Sequence, residues 1–340
     1  KPLGLTQSDI KMNGWSVEAR IYAEDPIRNF APSIGRLKAF KSPNENSSSI
    51  RLDSGVQEGG EISMYYDPMI AKLISYGQDR NDACLKLSSA LDSFFISGLE
   101  TNIAFVNSVL NNKKFLSGNI TTAFLEEEYP KGYSGLLKTK SKLFLISLVA
   151  LAMEAIKKYR NQNLTAESCV VIINKQDFNI SYKMVYNQTK NIYDFSIMFK
   201  KQSYDFSIKW DIGYPLLSIN MDDQTSIVQV TNDISKYRIK HAGFDVHAIV
   251  KETDIYKLSK LIPKKSKSNL SKLLLSPMPG QVVKVCVQEN QKVNSGDDLM
   301  ILDAMKMENI LKADKDAVIK KINIKHGDTV SVDQELIVFA

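Results

Sequence analysis

A single lysine, Lys306, stands between two methionines in Ala304-Met305-Lys306-Met307. Its side chain is a primary amine, which can be acylated to an amide. The apolar run Leu299-Met300-Ile301-Leu302 precedes it, and a second strand-like run, Ile310-Leu311, follows after Glu308-Asn309. Two such runs about a two-residue break read as a hairpin. The break favours Asn-Gly or Asp-Gly, because both central positions need positive φ. Met-Lys breaks that rule, and a rule broken without visible compensation points to function. The plain alternative is a solvated lysine on a surface turn. The second candidate is Arg20, which shares one face of an alternating strand with Glu18 and Tyr22. Its plain reading is an exposed Glu18–Arg20 ion pair of little energetic weight.

The elements around Lys306 repeat. Residues 282–302 recur at 319–339, so that Val282 falls on Ile319, Val285 on Ile322, Val287 on Ile324 and Val293 on Val330. Asp298-Leu299-Met300-Ile301-Leu302 falls on Glu335-Leu336-Ile337-Val338-Phe339. One repeat of about 20 residues cannot bury its own apolar face. Two copies therefore predict a flattened barrel of two sheets, with Lys306 at the turn joining the halves.

The 340 residues suffice for two or three domains. An apolar fraction of 44% and a charged fraction of 24% are ordinary for a globular protein. The net charge of +6 is mild and spread along the chain. With no aromatic-basic stripe and no zinc spacing, nothing calls for nucleic acid. Cys84, Cys169 and Cys286 lie far apart without a CxxC, which predicts buried thiols in a reducing compartment rather than a disulfide framework. His241, His247 and His326 are too scattered for a metal site and read as structural or surface histidines. Lys1-Pro2-Leu3 does not look like a targeting segment. The most hydrophobic stretch, 143–153, is well short of the roughly 18 residues that span a bilayer; with lysines on both sides it reads as a buried helix.

Along the chain, 1–133 looks mixed α/β. Val17, Ala19, Ile21 and Ala23 alternate with polar neighbours, and 70–76 is a buried-strand candidate. Residues 44–49 read as a polar loop. Asp79 can cap a helix with the stripe Leu87, Ala90, Leu91, Phe94 and Phe95, and a second helix follows Thr101. The stretch 126–134, with Pro130 and Gly132, reads as a boundary. Residues 136–160 form one long helix candidate. Eight strand candidates follow at 169–173, 178–185, 192–199, 204–210, 216–219, 226–230, 237–240 and 244–250, which predicts an antiparallel barrel or sandwich. Residues 262–270 read as a solvated linker.

Certain of these residues carry a family resemblance. From Ser276-Pro277-Met278-Pro279-Gly280 onward the chain resembles the biotinyl/lipoyl carrier domain. Lipoyl carriers typically show Asp-Lys-Ala at this turn, so the flanking methionines favour biotin. Asn13-Gly14-Trp15, Val17 through Pro26, Pro32-Ser33-Ile34-Gly35 and Tyr65 through Ile74 are similar to the C-terminal domain of biotin carboxylase. One helix and many strands, with Pro215-Leu216-Leu217-Ser218, look like the connecting (BT) domain of propionyl-CoA carboxylase α subunits. Gly14-Trp15 leans toward that branch over the methylcrotonyl one. The implied fold class is multidomain α+β. A biotin carboxylase C-terminal domain would span 1–133 and a BT-like helix plus antiparallel β-barrel 134–262. A linker at 263–272 and a flattened all-β carrier at 273–340 would follow.

The resemblance implies biotin on Lys306, flanked by Ala304, Met305 and Met307, and a catalytic Arg20. It implies two half-reactions: ATP-driven transfer of a carboxyl group from bicarbonate to a ureido nitrogen, then carboxylation of an acyl-CoA. The partners would be a carboxyltransferase β subunit, which the BT domain docks, and a biotin protein ligase. An upstream ATP-grasp part would use ATP, Mg2+ and bicarbonate. No glycine-rich phosphate loop and no acidic pair for magnesium is found here. The chain is therefore expected to be the C-terminal half of an α subunit, truncated or split, and inactive alone. It would hold no metal of its own and would sit in a bacterial cytoplasm or a mitochondrial matrix, without nucleic-acid or membrane partners. Two rival readings are a non-catalytic carrier and docking fragment, and a lipoyl-type acyl carrier.

Overall fold

The computed structural model describes residues 4–45, 48–135, 140–162, 166–233, 235–262, 272–304 and 307–340. Three hydrophobic cores follow one another along the chain. In the first, strands Trp15–Tyr22, Met69–Gly77 and Ile50–Ser54 form an antiparallel sheet with Met69–Gly77 in the centre. Ala19, Ile21, Ala71 and Leu73 point inward and share a core with Leu87 and Leu91 of helix Arg80–Ser93. That helix starts where the sequence predicts: the Asp79 carboxylate accepts the Asp82 N–H at 2.9 Å, satisfying one of the unpaired donors of the first turn.

The helix ends earlier than its apolar stripe suggests. Phe94 is extended, with φ −84° and ψ 93°, and Phe95–Ser97 is a short strand paired with Ala39–Lys41. The Gln229 side chain, distant in sequence, donates to the carbonyls of Leu91 and Phe94 at 3.1 and 3.0 Å. This supplies a tertiary cap that a local reading cannot see. The second helix is Ile103–Leu110. The stretch 126–134 is packed at both ends. Helix Phe124–Glu128 covers its start, and buried Tyr133 donates its hydroxyl to the Gly243 carbonyl at 2.6 Å.

The second core is a helix inside a barrel. All eight predicted strands are present, from Ala166–Ile173 to Phe244–Glu252. Each pairs antiparallel with the next, and the last pairs with the first to close the barrel. Helix Lys140–Gln162 shares one core with inward residues of every strand. From Leu148 to Met153 every residue is buried. A helix that is apolar all round requires such an enclosure, and closure removes the unpaired strand edges. Residues 136–139, part of the predicted helix, lie outside the described residues. A short helix, Thr253–Ser259, follows the barrel. The predicted linker lies outside the described residues from 263 to 271.

The third core lies between two four-stranded sheets. The sequence repeat is realised strand by strand: Gly280–Val285 corresponds to Ala317–Ile322, Lys292–Val293 to Thr329–Val330, and Asp298–Ala304 to Glu335–Phe339. Equivalent backbone bonds cross between the halves. Asn290 N–H reaches the Ile319 carbonyl at 2.7 Å, and Gly327 N–H reaches the Val282 carbonyl at 2.8 Å. Asn290 and Gly327 both have positive φ.

Polar contacts bolt the first unit to the barrel. Asp92 accepts from Ala242 N–H and from the Asn107 amide, and lies 2.8 Å from His241 Nδ1. Lys142 donates to Asn111 at 2.6 Å. Arg238 binds Glu100 through both terminal nitrogens and also binds Asp245. Cys84 and Cys169 are buried, Cys286 is half-buried, and all three are free thiols.

Candidate functional site

Arg20 sits on the edge strand of the first sheet, on the face away from the core. Its side chain is 58% exposed, and its Nε lies 3.2 Å from Glu18 Oε1. The hydrogen bond to Glu18, followed by that with Tyr22, raises the guanidinium pKa further above its ordinary value, so the charge is permanent. Arg20 is opposite Lys72 in the neighbouring strand, and Lys72 is opposite Asp53 in the next. Residues directly opposite share a face. Arg20, Lys72 and Asp53 therefore form a row across an open, polar sheet surface.

The backbone at Arg20 is held by a residue that sequence reasoning missed. Asn102 accepts the Tyr22 N–H through Oδ1 at 2.9 Å and donates from Nδ2 to the Arg20 carbonyl at 3.1 Å. Its own N–H reaches the Tyr22 carbonyl at 3.2 Å. In sequence, Asn102 is marked only as part of the helix expected after Thr101.

Met305 and Lys306 lie outside the described residues, and their frame is described on both sides. Ala304 pairs directly with Met307, the last rung of a ladder between Asp298–Ala304 and Met307–Lys312. Only residues 305 and 306 separate the two partners in sequence. Ala304 is buried, so the strand end there is fixed. Gly280 passes beneath: a Cβ there would meet the Asp303 carbonyl oxygen at 2.6 Å. The loop leading to Gly280 is stiffened where Ser276 Oγ donates to the Met278 carbonyl at 2.6 Å.

A cleft of about 980 Å³ lies between the end of the Arg20 strand at Tyr22 and the paired strands that flank residues 305–306; Arg20 itself is not among the residues that line it. On one side lie Tyr22, Glu24, the 28–32 loop and the Tyr66-Asp67-Pro68 turn. On the other lie Pro277, Met278, Ala304 and residues 309–311. Arg28 Nη2 and Asp333 Oδ1 bridge the two sides at 3.3 Å. Burial, and then the nearby Asp67 carboxylate, push the Glu24 pKa above the ordinary carboxylate range. The histidines are structurally engaged: His241 beside Asp92, and His326 Nδ1 at 2.6 Å from the Val283 carbonyl. Burial lowers the His247 pKa, with the charges of Lys236 and Arg238 adding to the effect. Among the described residues no helix is long and apolar enough to cross a membrane.

Comparison with known proteins gives three family matches in the same order as the three cores. Residues 18–127 match the biotin carboxylase C-terminal domain, 149–265 the propionyl-coenzyme A carboxylase BT domain, and 272–339 a family described as biotin-requiring enzyme. The propionyl-CoA carboxylase alpha chain of Ruegeria pomeroyi is 35% identical, over 100% of this chain and 53% of the relative. The mitochondrial propionyl-CoA carboxylase alpha chain of Homo sapiens is 34% identical, over 97% of this chain and 46% of the relative. The mitochondrial methylcrotonoyl-CoA carboxylase subunit alpha of Rattus norvegicus is 31% identical, over 98% and 48%. The chain spans about half the length of the curated relatives it matches. With all three family models matched in succession, this chain is similar, over about half of their length, to the α subunits of biotin-dependent acyl-CoA carboxylases, and its last matched unit is of the biotin-requiring family.

Proposed function

We propose that this chain carries biotin in amide linkage to Lys306 Nζ and moves it between two active sites of an acyl-CoA carboxylase of the propionyl-CoA type. The observation that carries the reading is the Ala304–Met307 rung, which ends the ladder between Asp298–Ala304 and Met307–Lys312 with only residues 305 and 306 between its partners in sequence. A tethered cofactor needs a lysine on a protruding turn with a rigid root. The buried Ala304 and the close approach of Gly280 supply that root. Bound biotin supplies a ureido nitrogen able to take up a carboxyl group and give it to an acyl-CoA.

The chain's own residues do the rest. Lys306 makes the second encounter intramolecular, with an effective concentration of about the mM range for a short flexible tether. Arg20 presents a permanent cation on an open sheet face, suited to hold negative charge building on the ureido oxygen. Arginine suits this better than lysine because its planar fork is pre-organised, and Glu18 fixes it at Nε. The helix-in-barrel unit, 134–262, docks a carboxyltransferase β subunit. An ATP-grasp part uses ATP, Mg2+ and bicarbonate, and a biotin protein ligase modifies Lys306. The compartment is a bacterial cytoplasm or a mitochondrial matrix.

Co-expression with a biotin protein ligase, followed by intact mass and a streptavidin blot, tests the reading. The wild-type chain should gain one biotinyl group, and Lys306→Arg none. A lipoyl mass, or streptavidin signal persisting in the variant, would refute it.

A further inference from the structure

Asn102 occupies the position before helix Ile103–Leu110, yet makes no side-chain cap bond. Asparagine there normally accepts an N–H from the first turn. Here the side chain, in a residue only 7% exposed, turns to the edge of the first sheet. Trp15–Tyr22 is an edge strand, and its register shifts between Ile21 and Tyr22. Arg20 C=O and Tyr22 N–H point to the same side of the strand. They would be unpaired without the Asn102 amide, which acts as one peptide unit of a missing neighbour. Donor and acceptor are both used, so the amide orientation is fixed by its partners.

Two residues upstream, Glu100 accepts from Arg238 Nη1 at 2.6 Å and Nη2 at 2.7 Å. Arg238 belongs to barrel strand Lys236–His241 and is itself gripped by Asp245, with 2.8 Å contacts from Nε and Nη2. Glu100 N–H also donates to Ser33 Oγ at 2.9 Å. The segment that delivers Asn102 to the Arg20 strand is therefore anchored on the barrel, two residues away. A bidentate arginine–carboxylate pair constrains direction as well as distance. Gln229 and His241 hold the preceding helix to the same barrel.

We propose that Asn102 is a positioning residue for Arg20, and that the Glu100–Arg238 pair makes this position depend on the docking barrel. The proposal rests on the reading of Arg20 as the catalytic cation. Asn102 touches no reacting atom; it fixes where the Arg20 main chain lies.

The test uses the biotinylated α subunit containing the ATP-binding part and follows biotin-dependent ATP cleavage. Asn102→Ala should lower kcat by about 10- to 100-fold, the scale of a misplacement near 1 Å, with KM for ATP and bicarbonate unchanged within about twofold. In an Arg20→Gln background the same change should cost nothing more, because two residues acting through one group are not additive. Additive losses would overturn the positioning role. A normal rate in Arg20→Gln alone would instead overturn the catalytic reading of Arg20, so the two failures are distinguishable. Should the alanine variant fail to fold, Asn102→Asp keeps the size and the acceptor for Tyr22 while losing the donor to Arg20. It should show the same fall in kcat, and wild-type kcat there refutes the proposal. Glu100→Gln should lower kcat at constant KM; no change would remove the barrel from the argument.

Discussion

Replacing Gly280 with alanine should impair the Lys306 turn without touching it. A Cβ on Gly280 would stand 2.6 Å from the Asp303 carbonyl oxygen, where ordinary contact begins near 3.4 Å, and would just touch Ala304 Cβ at 3.4 Å. Backbone must therefore move by about 0.8 Å. Asp303 is paired with Gln281 on one side and Glu308 on the other, so neither neighbour strand gives way freely. Overpacking of this kind costs about 1–3 kcal/mol. In a domain of this size each kcal/mol is about 4–8 °C in Tm. Because the displaced residue precedes the buried Ala304, a ligase that reads the strand ends at Ala304 and Met307 should work more slowly by about tenfold or more. Purified ligase, biotin and the full chain, followed by intact mass against time, measure that rate. A calorimetric scan reports the transition of the carrier unit. Wild-type biotinylation together with an unchanged transition would show that the close approach has no mechanical consequence.

Three further outcomes are expected. Arg20→Gln in the complete α subunit should lower the rate of biotin carboxylation by about two to three orders of magnitude, the scale of one lost transition-state donor. KM should change little, and the thermal transition should stay put because the side chain is exposed; a variant that unfolds instead points to a structural role. Deleting 136–260 should abolish co-purification with a carboxyltransferase β subunit while Lys306 stays biotinylated; retained co-purification would place the interface elsewhere. The contact between the first unit and the barrel should weaken in acid. Burial works against the ionised forms of Glu100 and Asp245, but the hydrogen bonds from Arg238 and the charge of Lys240 outweigh it, so both pKa values are depressed. The stabilisation is complete above the unfolded carboxylate pKa of about 4 and is lost as pH falls through the depressed values. Acid unfolding should lose that dependence in a Glu100→Gln/Asp245→Asn variant, and an identical acid profile would refute the assignment.

What the sequence made legible was local. Barrel strands such as Gln176–Asn187 and Ile192–Phe199 show period-two alternation, the helix is apolar all round over 148–153, and the carrier repeats itself. Each signal survives in a short window because it comes from burial on one face or on all. The contacts that organise the first site are invisible in such windows. Gln229 meets Leu91, Arg238 meets Glu100 and Ala242 meets Asp92 across more than 130 residues of chain. Asn102 stands before helix Ile103–Leu110 and is used as a strand. Non-glycine turns are common in this chain: Lys200-Lys201 and Asn174-Lys175 take positive φ at barrel hairpins without glycine. The repeat and the buried Ala304 distinguish Lys306, and an unfavourable turn residue alone does not.

A barrel closed around a helix also constrains the order in which the chain can form. Seven of its eight strand pairings are hairpins between neighbours in sequence, and the eighth joins Ala166–Ile173 to Phe244–Glu252. Local pairings close small loops and form quickly, whereas the last must close a loop of some 80 residues. Helix Lys140–Gln162 has to be in place before that seam shuts, since a finished barrel offers no way in. Of the residues that grip the first unit, Lys142 belongs to the enclosed helix, while Gln229, Arg238, His241 and Ala242 lie in the last third of the barrel. The seam and the grip therefore mature together, and during synthesis the Arg20 strand is left without its anchor until the barrel is complete.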